Sequence, residues 1–200
     1  ECGASAIMPL ASPIGSGLGL QNKIIFSYLG THGLAHGLKF ILDSISKIRD
    51  LKYHFLFIGD GAEKQKLLDY SKTVHSDNFT FLNSVAKSEI PLYIDISNYA
   101  IVNLIKSNEF KNVIPSKIFE NIAMYKPILL GVEGEAKKLI EKYQVGITYQ
   151  PNDTQSFIKA IYDVEKINRN FFISNCDKML EDFNREIIAE RMIKFIEIKL

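Results

Sequence analysis

Six short, mostly apolar runs recur along the chain from Lys23 onward, and amphipathic stretches of helical period separate them. The runs are Lys23–Leu29, Tyr53–Ile58, Phe79–Leu82, Ala100–Ile105, Pro127–Val132 and Gly146–Tyr149. Each has the length of a strand, and a run that is apolar on both faces belongs inside a covered sheet. Between them, Leu34–Ile48 places Leu34, Leu38, Ile41, Leu42, Ile45 and Ile48 on one helical stripe. Ala62–Val74, Ser88–Ser97, Pro115–Met124 and Ala136–Tyr143 also read as helices. Thr154–Ile167, Phe171–Phe183 and Arg185–Ile198 add three more at the end. Strand–helix alternation of this kind predicts an α/β fold: a doubly wound, parallel, six-stranded sheet with extra C-terminal helices.

Residues 1–22 differ from the rest. Ala, Ser, Gly and Pro dominate there and no period is sustained, so the stretch reads as a linker or extended arm. Residues 23–200 form the globular unit. The formal net charge of +1 lacks the basic excess of a nucleic-acid partner. No apolar run reaches the length of a membrane span. Glu1 opens the chain without a basic leader, and Cys2 and Cys176 match no metal-ligand spacing. These features predict a cytoplasmic protein with reduced thiols.

In doubly wound sheets, ligands bind beyond the carboxyl ends of the strands. The loops after each strand are therefore the candidates. Gly30-Thr31-His32-Gly33 follows the first strand, and its glycines allow a sharp turn and close approach to a phosphate. It is neither a dinucleotide fingerprint nor a Walker A loop. His32 either meets a ligand or caps the next helix, and His36 reads as a solvated or interfacial histidine. Gly59-Asp60-Gly61 is ordinary turn chemistry that also places Asp60 at the binding edge. Asn83 to Lys87, with Val85 and Lys87, follows the third strand. Gly131 to Glu135 is a further glycine-framed acidic loop.

The fourth loop leads into Asn112-Val113-Ile114-Pro115-Ser116-Lys117-Ile118-Phe119-Glu120. Pro115 suits the first helical position, where no N–H is needed. Lys117 then stands beside the positive end of the helix, an unfavourable pair that an intervening anion would relieve. Ser116, Lys117 and Glu120 share a face. They suit a nucleoside diphosphate, with cation and free N–H groups for phosphate and a carboxylate for ribose hydroxyls. The competing reading is a surface Lys117–Glu120 pair.

With these loops in order, the chain resembles the C-terminal, donor-binding domain of GT-B glycosyltransferases of family 4. The likeness is nearest to bacterial enzymes of the N-acetyl-fucosamine transferase kind. It rests on Tyr28-Leu-Gly-Thr-His-Gly33, Phe57-Ile-Gly-Asp-Gly-Ala-Glu63, Asn78-Phe-Thr-Phe-Leu82, Ile114-Pro-Ser-Lys-Ile-Phe-Glu120 and Lys126-Pro-Ile-Leu129. The resemblance implies one Rossmann-like half of a GT-B fold. It also implies a retaining, metal-independent transfer from a UDP-sugar in bacterial polysaccharide assembly.

By the same resemblance, Glu120 binds ribose, while Lys117 and Val113 to Ser116 lie near the pyrophosphate. Gly30 to Gly33 close over the phosphates, and Val85 and Lys87 line the base pocket. Asn112 stands where the family usually has a second glutamate, and Thr31 and His36 stand near its usual Arg and Lys. The acceptor, in this class a lipid-linked sugar, would need an N-terminal domain that these residues do not encode. The expected chain is thus a domain fragment that begins at the interdomain linker and is inactive alone. The full enzyme would sit in the cytoplasm or peripherally at the inner membrane. The last helix, with Ile188, Met192, Phe195 and Ile196 on one side, would cross to the missing domain or promote self-association. The alternatives are a GT-B sugar-nucleotide epimerase and a non-catalytic nucleotide-binding domain.

Overall fold

The computed structural model describes residues 17–74 and 76–199. The arm expected over residues 1–22 lies outside them as far as residue 16, and so does the Phe195 side chain. Six parallel strands form one sheet: β1 (Ile24–Leu29), β2 (Tyr53–Ile58), β3 (Phe79–Leu82), β4 (Tyr99–Asn103), β5 (Ile128–Gly131) and β6 (Gly146–Thr148). Their order is β3-β2-β1-β4-β5-β6, so the winding reverses between β1 and β4. Register is continuous across the first pair, from Ile24 opposite Tyr53 to Leu29 opposite Ile58.

The helices are α1 (Leu38–Ile45), α2 (Lys64–Ser71), α3 (Ile90–Ile96), α4 (Lys117–Ala123), α5 (Glu135–Tyr143), α6 (Thr154–Val164), α7 (Arg169–Asp182) and α8 (Arg185–Lys199). Both sheet faces are covered, which explains why the strands are apolar throughout. Successive side chains point to opposite faces. Phe26, Tyr28, Phe55 and Phe57 pack with Leu38, Ile41, Leu42 and Ile45 of α1 and with Phe157 and Ile161 of α6. Ile25, Leu56 and Ile58 pack on the other face with Ile96. Beyond the reversal, Ala100, Val102, Ile128 and Leu130 meet Ile118 and Ile122 of α4, Ile140 of α5 and Phe172 of α7.

Two expectations are corrected. The helix predicted over Leu34–Ile48 is broken. Leu34–His36 form a 3-10 turn, Gly37 takes a left-handed φ of 58°, and α1 starts only at Leu38. The apolar stripe hid the break because both pieces present aliphatic residues. Pro115 is not the first helical residue either: Ser116 caps α4 and Lys117 begins it. On α8, Ile188, Met192, Ile193 and Ile196 are exposed. Among the described residues, no helix is long and apolar enough to cross a membrane.

Candidate functional site

Beside the winding reversal, the carboxyl ends of the strands open into a cleft of about 450 Å3. That volume suits a small organic ligand. Its walls come from the ends of three strands and the loops that follow: Leu29 closing β1 with Gly30 and Thr31 after it, Ile58 closing β2 with Gly59 and Asp60 after it, and Ser84 and Val85 after β3. His36 from the 3-10 turn, Ile90 of α3, and Ser116, Lys117 and Glu120 at the start of α4 complete it.

The first two loops are joined backbone to backbone. Gly30 N donates to Ile58 O at 2.9 Å, His32 N to Asp60 O at 2.8 Å, and Glu63 N to His32 O at 2.8 Å. This seam leaves no room for side chains. A Cβ on Gly59 would fall 1.9 Å from the Gly30 carbonyl oxygen. The Gly-Asp-Gly sequence is therefore more than a turn signal: it lets the loops of two neighbouring strands touch. Asp60 accepts from Gly61 N at 2.7 Å and remains exposed at the cleft.

Lys117 reaches from α4 under the first loop. Its Nζ donates to the Tyr28 hydroxyl at 3.3 Å and stands 4.3 Å from the centre of the Tyr28 ring. A Cβ on Gly30 would lie 2.8 Å from the same Nζ. Burial brings the Lys117 ammonium down to about 8, while the nearby Glu120 carboxylate opposes that shift. Among the described residues, no ion pair joins Lys117 to Glu120. The cation instead spends its contacts on an aromatic face and a phenol, and Glu120 stays exposed. Backbone bonding at the start of α4 begins with Ile118 N to Pro115 O at 3.1 Å, which leaves the preceding amides beside the cleft.

Two histidines change roles relative to the sequence reading. His32 does not face the cleft. Its ring is fully buried between Tyr28 and Phe81, and among the described residues neither nitrogen has a hydrogen-bond partner. Burial, helped by the Lys64 charge and opposed by Asp60, takes it down to about 4, so the ring is neutral near pH 7. His36 does line the cleft, although its spacing gave it a bland reading. Burial, and after it the Lys117 charge, lowers its pKa. Its backbone is latched from behind. Asn103 Nδ2 donates to His36 O at 2.7 Å, and Asn103 Oδ1 accepts from the buried Tyr149 hydroxyl at 2.8 Å.

Of the other expected residues, Gly30, Thr31, Asp60, Val85, Ser116, Lys117 and Glu120 come together in the cleft. Gly33, Lys87, Asn112, Val113, Ile114 and Pro115 are not among its lining residues. Asn112 ends a 3-10 turn, Asn108–Asn112, and is exposed with Lys87, Val113 and Ile114. The intervening turn carries that segment out to solvent before the chain re-enters at Ser116. Tyr28, Lys64 and Asn103 escaped notice. Lys64 is buried and its ammonium binds Gly59 O at 3.0 Å and Leu82 O at 2.5 Å, tying β2 to β3 under the cleft. An Asn and a Tyr inside strand runs were the only signal for two of the three. Among the described residues, no group of three or more His, Cys, Asp or Glu could hold a metal ion.

Residues 17–186 match the family described as glycosyl transferases group 1. A probable glycosyltransferase, WbjE of Pseudomonas aeruginosa, is 25% identical over 146 residues, which cover 72% of this chain and 36% of that protein. A stretch of 23 residues, 12% of the chain, is 83% identical to a thiazole synthase of Wolinella succinogenes and covers 9% of it. Among solved structures, Anabaena Alr3699/HepE in complex with UDP superposes with a TM-score of 0.74 at 15% identity, over 94% of this chain and 53% of that one. Sucrose-phosphate synthase of Thermosynechococcus elongatus gives 0.73 at 17% identity, over 98% and 50%. The chain thus spans about half the length of these structural relatives and about a third of WbjE.

Proposed function

The chain belongs to the glycosyl transferases group 1 family, and from that premise we propose that it is the donor-binding half of a retaining, metal-independent glycosyltransferase that uses a UDP-sugar. One observation carries the reading: a half-buried ammonium and an exposed carboxylate, Lys117 and Glu120, open one helical turn apart into the same cleft. The structural relative Alr3699/HepE holds UDP in one crystal and UDP-glucose in another.

In this reading the diphosphate lies against Lys117, Gly30 and the first amides of α4. The Glu120 carboxylate accepts from the ribose hydroxyls, and the base lies toward Ser84 and Val85. As the bond from the sugar C1 to the phosphate oxygen breaks, negative charge collects on the diphosphate. Lys117 and the helix start are already aimed there, so stabilising that charge needs little reorganisation. The sugar is a hexose or N-acetylhexosamine, and the acceptor is a lipid-linked sugar held by a second domain, in bacterial surface-polysaccharide assembly.

Calorimetric titration with UDP tests the site. Charge-assisted hydrogen bonds contribute about 1.5–3 kcal/mol each, so Glu120→Gln should weaken UDP about 10- to 100-fold. Unchanged affinity in that variant, or no binding to the native chain, would refute the assignment.

A further inference from the structure

Tyr28 is fully buried on β1, one residue short of the strand end, and has no place in the reading above. Its hydroxyl touches two groups that matter. It donates to the Thr31 carbonyl at 2.7 Å and lies 3.3 Å from Lys117 Nζ. A phenol has one proton to give and lone pairs to accept with. Since the Thr31 carbonyl takes the proton, only lone pairs face the ammonium. The ring adds a second attraction, with Nζ 4.3 Å from its centre. On the opposite side Gly30 closes the space. Lys117 is thereby held at one point of the cleft wall by a neutral partner, which leaves its charge uncancelled for a ligand.

We infer that Tyr28 is the positioning residue for Lys117. Its hydroxyl, oriented by the Thr31 carbonyl, fixes the ammonium where the donor diphosphate binds. The inference rests on the donor-binding reading above. An ion pair would have fixed the lysine as well, but it would have neutralised it. A phenol and an aromatic face fix it without that loss.

Two measurements test this on the 200-residue chain. The first needs no ligand. Carbon-13 NMR of the lysine ε carbons follows Lys117 between pH 6 and 10.5. The charged and titratable groups around it are Glu120 on α4, His32 and His36 from the first loop, Asp60 after β2 and Tyr28 itself. Burial sets the Lys117 midpoint near 8. Tyr28→Phe keeps the ring and volume but removes the acceptor, so the midpoint should fall by about half a pH unit. A midpoint that does not move would overturn the inference.

The second measurement is a double-mutant cycle read by UDP-glucose binding, a probe whose diphosphate diester does not titrate near neutral pH. Tyr28→Phe should weaken binding about fivefold in the native background and have no effect in the Lys117→Met background. An equal loss in both backgrounds would show that Tyr28 acts through the fold and would overturn the inference. A native chain that binds neither UDP nor UDP-glucose would refute the donor reading, and the ligand-free titration would still decide the role of Tyr28.

Discussion

Gly30 and Gly59 stand side by side in the cleft wall, and the same substitution at each should have unlike consequences. Both have positive φ, 139° and 146°, so alanine strains the backbone at either position by about 1–3 kcal/mol. The surroundings then separate them. At Gly30 the added methyl meets Lys117 Nζ at 2.8 Å, the far end of a flexible side chain that can swing aside. At Gly59 it meets the Gly30 carbonyl oxygen at 1.9 Å, where ordinary contact begins at 3.4 Å, so backbone must move by about 1.5 Å. That displacement breaks the seam that carries the bonds Gly30 N to Ile58 O and His32 N to Asp60 O. Losing these bonds adds about 1 kcal/mol each, and the overlap about 1–3 kcal/mol more. Gly30→Ala should therefore cost about 2 kcal/mol and Gly59→Ala about 6 kcal/mol. In a chain of this size that difference of about 4 kcal/mol separates the two melting temperatures by about 8–16 °C. Urea and thermal denaturation measure it directly. UDP titration should show the reverse emphasis for Gly30→Ala, with a large loss of affinity in a chain that still folds. Equal stability of the two variants would mean that the backbone seam is not what holds the loops together.

Other expectations concern the cation and its supports. Lys117 is held below its ordinary value, near 8, so the unfolded chain binds more protons between pH 8 and 10.5, and the fold gains stability as pH rises through that window. Lys117→Met removes the burial penalty. At pH 7 it should melt about 2 °C higher than the native chain, lose UDP binding, and lack the alkaline gain; a lower melting temperature would refute a strained ammonium. Asn103→Ala leaves the buried Tyr149 hydroxyl unpaired and frees the turn that carries His36. Urea denaturation should show a loss of about 2–4 kcal/mol, and a loss under 1 kcal/mol would mean that the latch is not made in solution.

Much of this architecture is readable in the sequence. Burial on both faces of the sheet forces strands that are apolar throughout, and β2 and β3 match their expected bounds at both ends. That Lys117 and Glu120 share one face of a helix was legible too, although that helix begins at Lys117 and not at Pro115. Proximity across the chain was not legible. The aliphatic stripe runs straight across Gly37, and the neighbours that crowd its left-handed turn, Asn103 closing β4 and Ile105 beyond it, are far away in sequence. The direction of His32 depends on Phe81 of β3, and the task of Tyr28 depends on a lysine 89 residues later. Periodicity, capping and turn chemistry act between near neighbours and are written along the chain. Which strand lies beside which is set when crossovers pack their helices onto the sheet. That packing put β1 next to β4, and with it Tyr28 under Lys117.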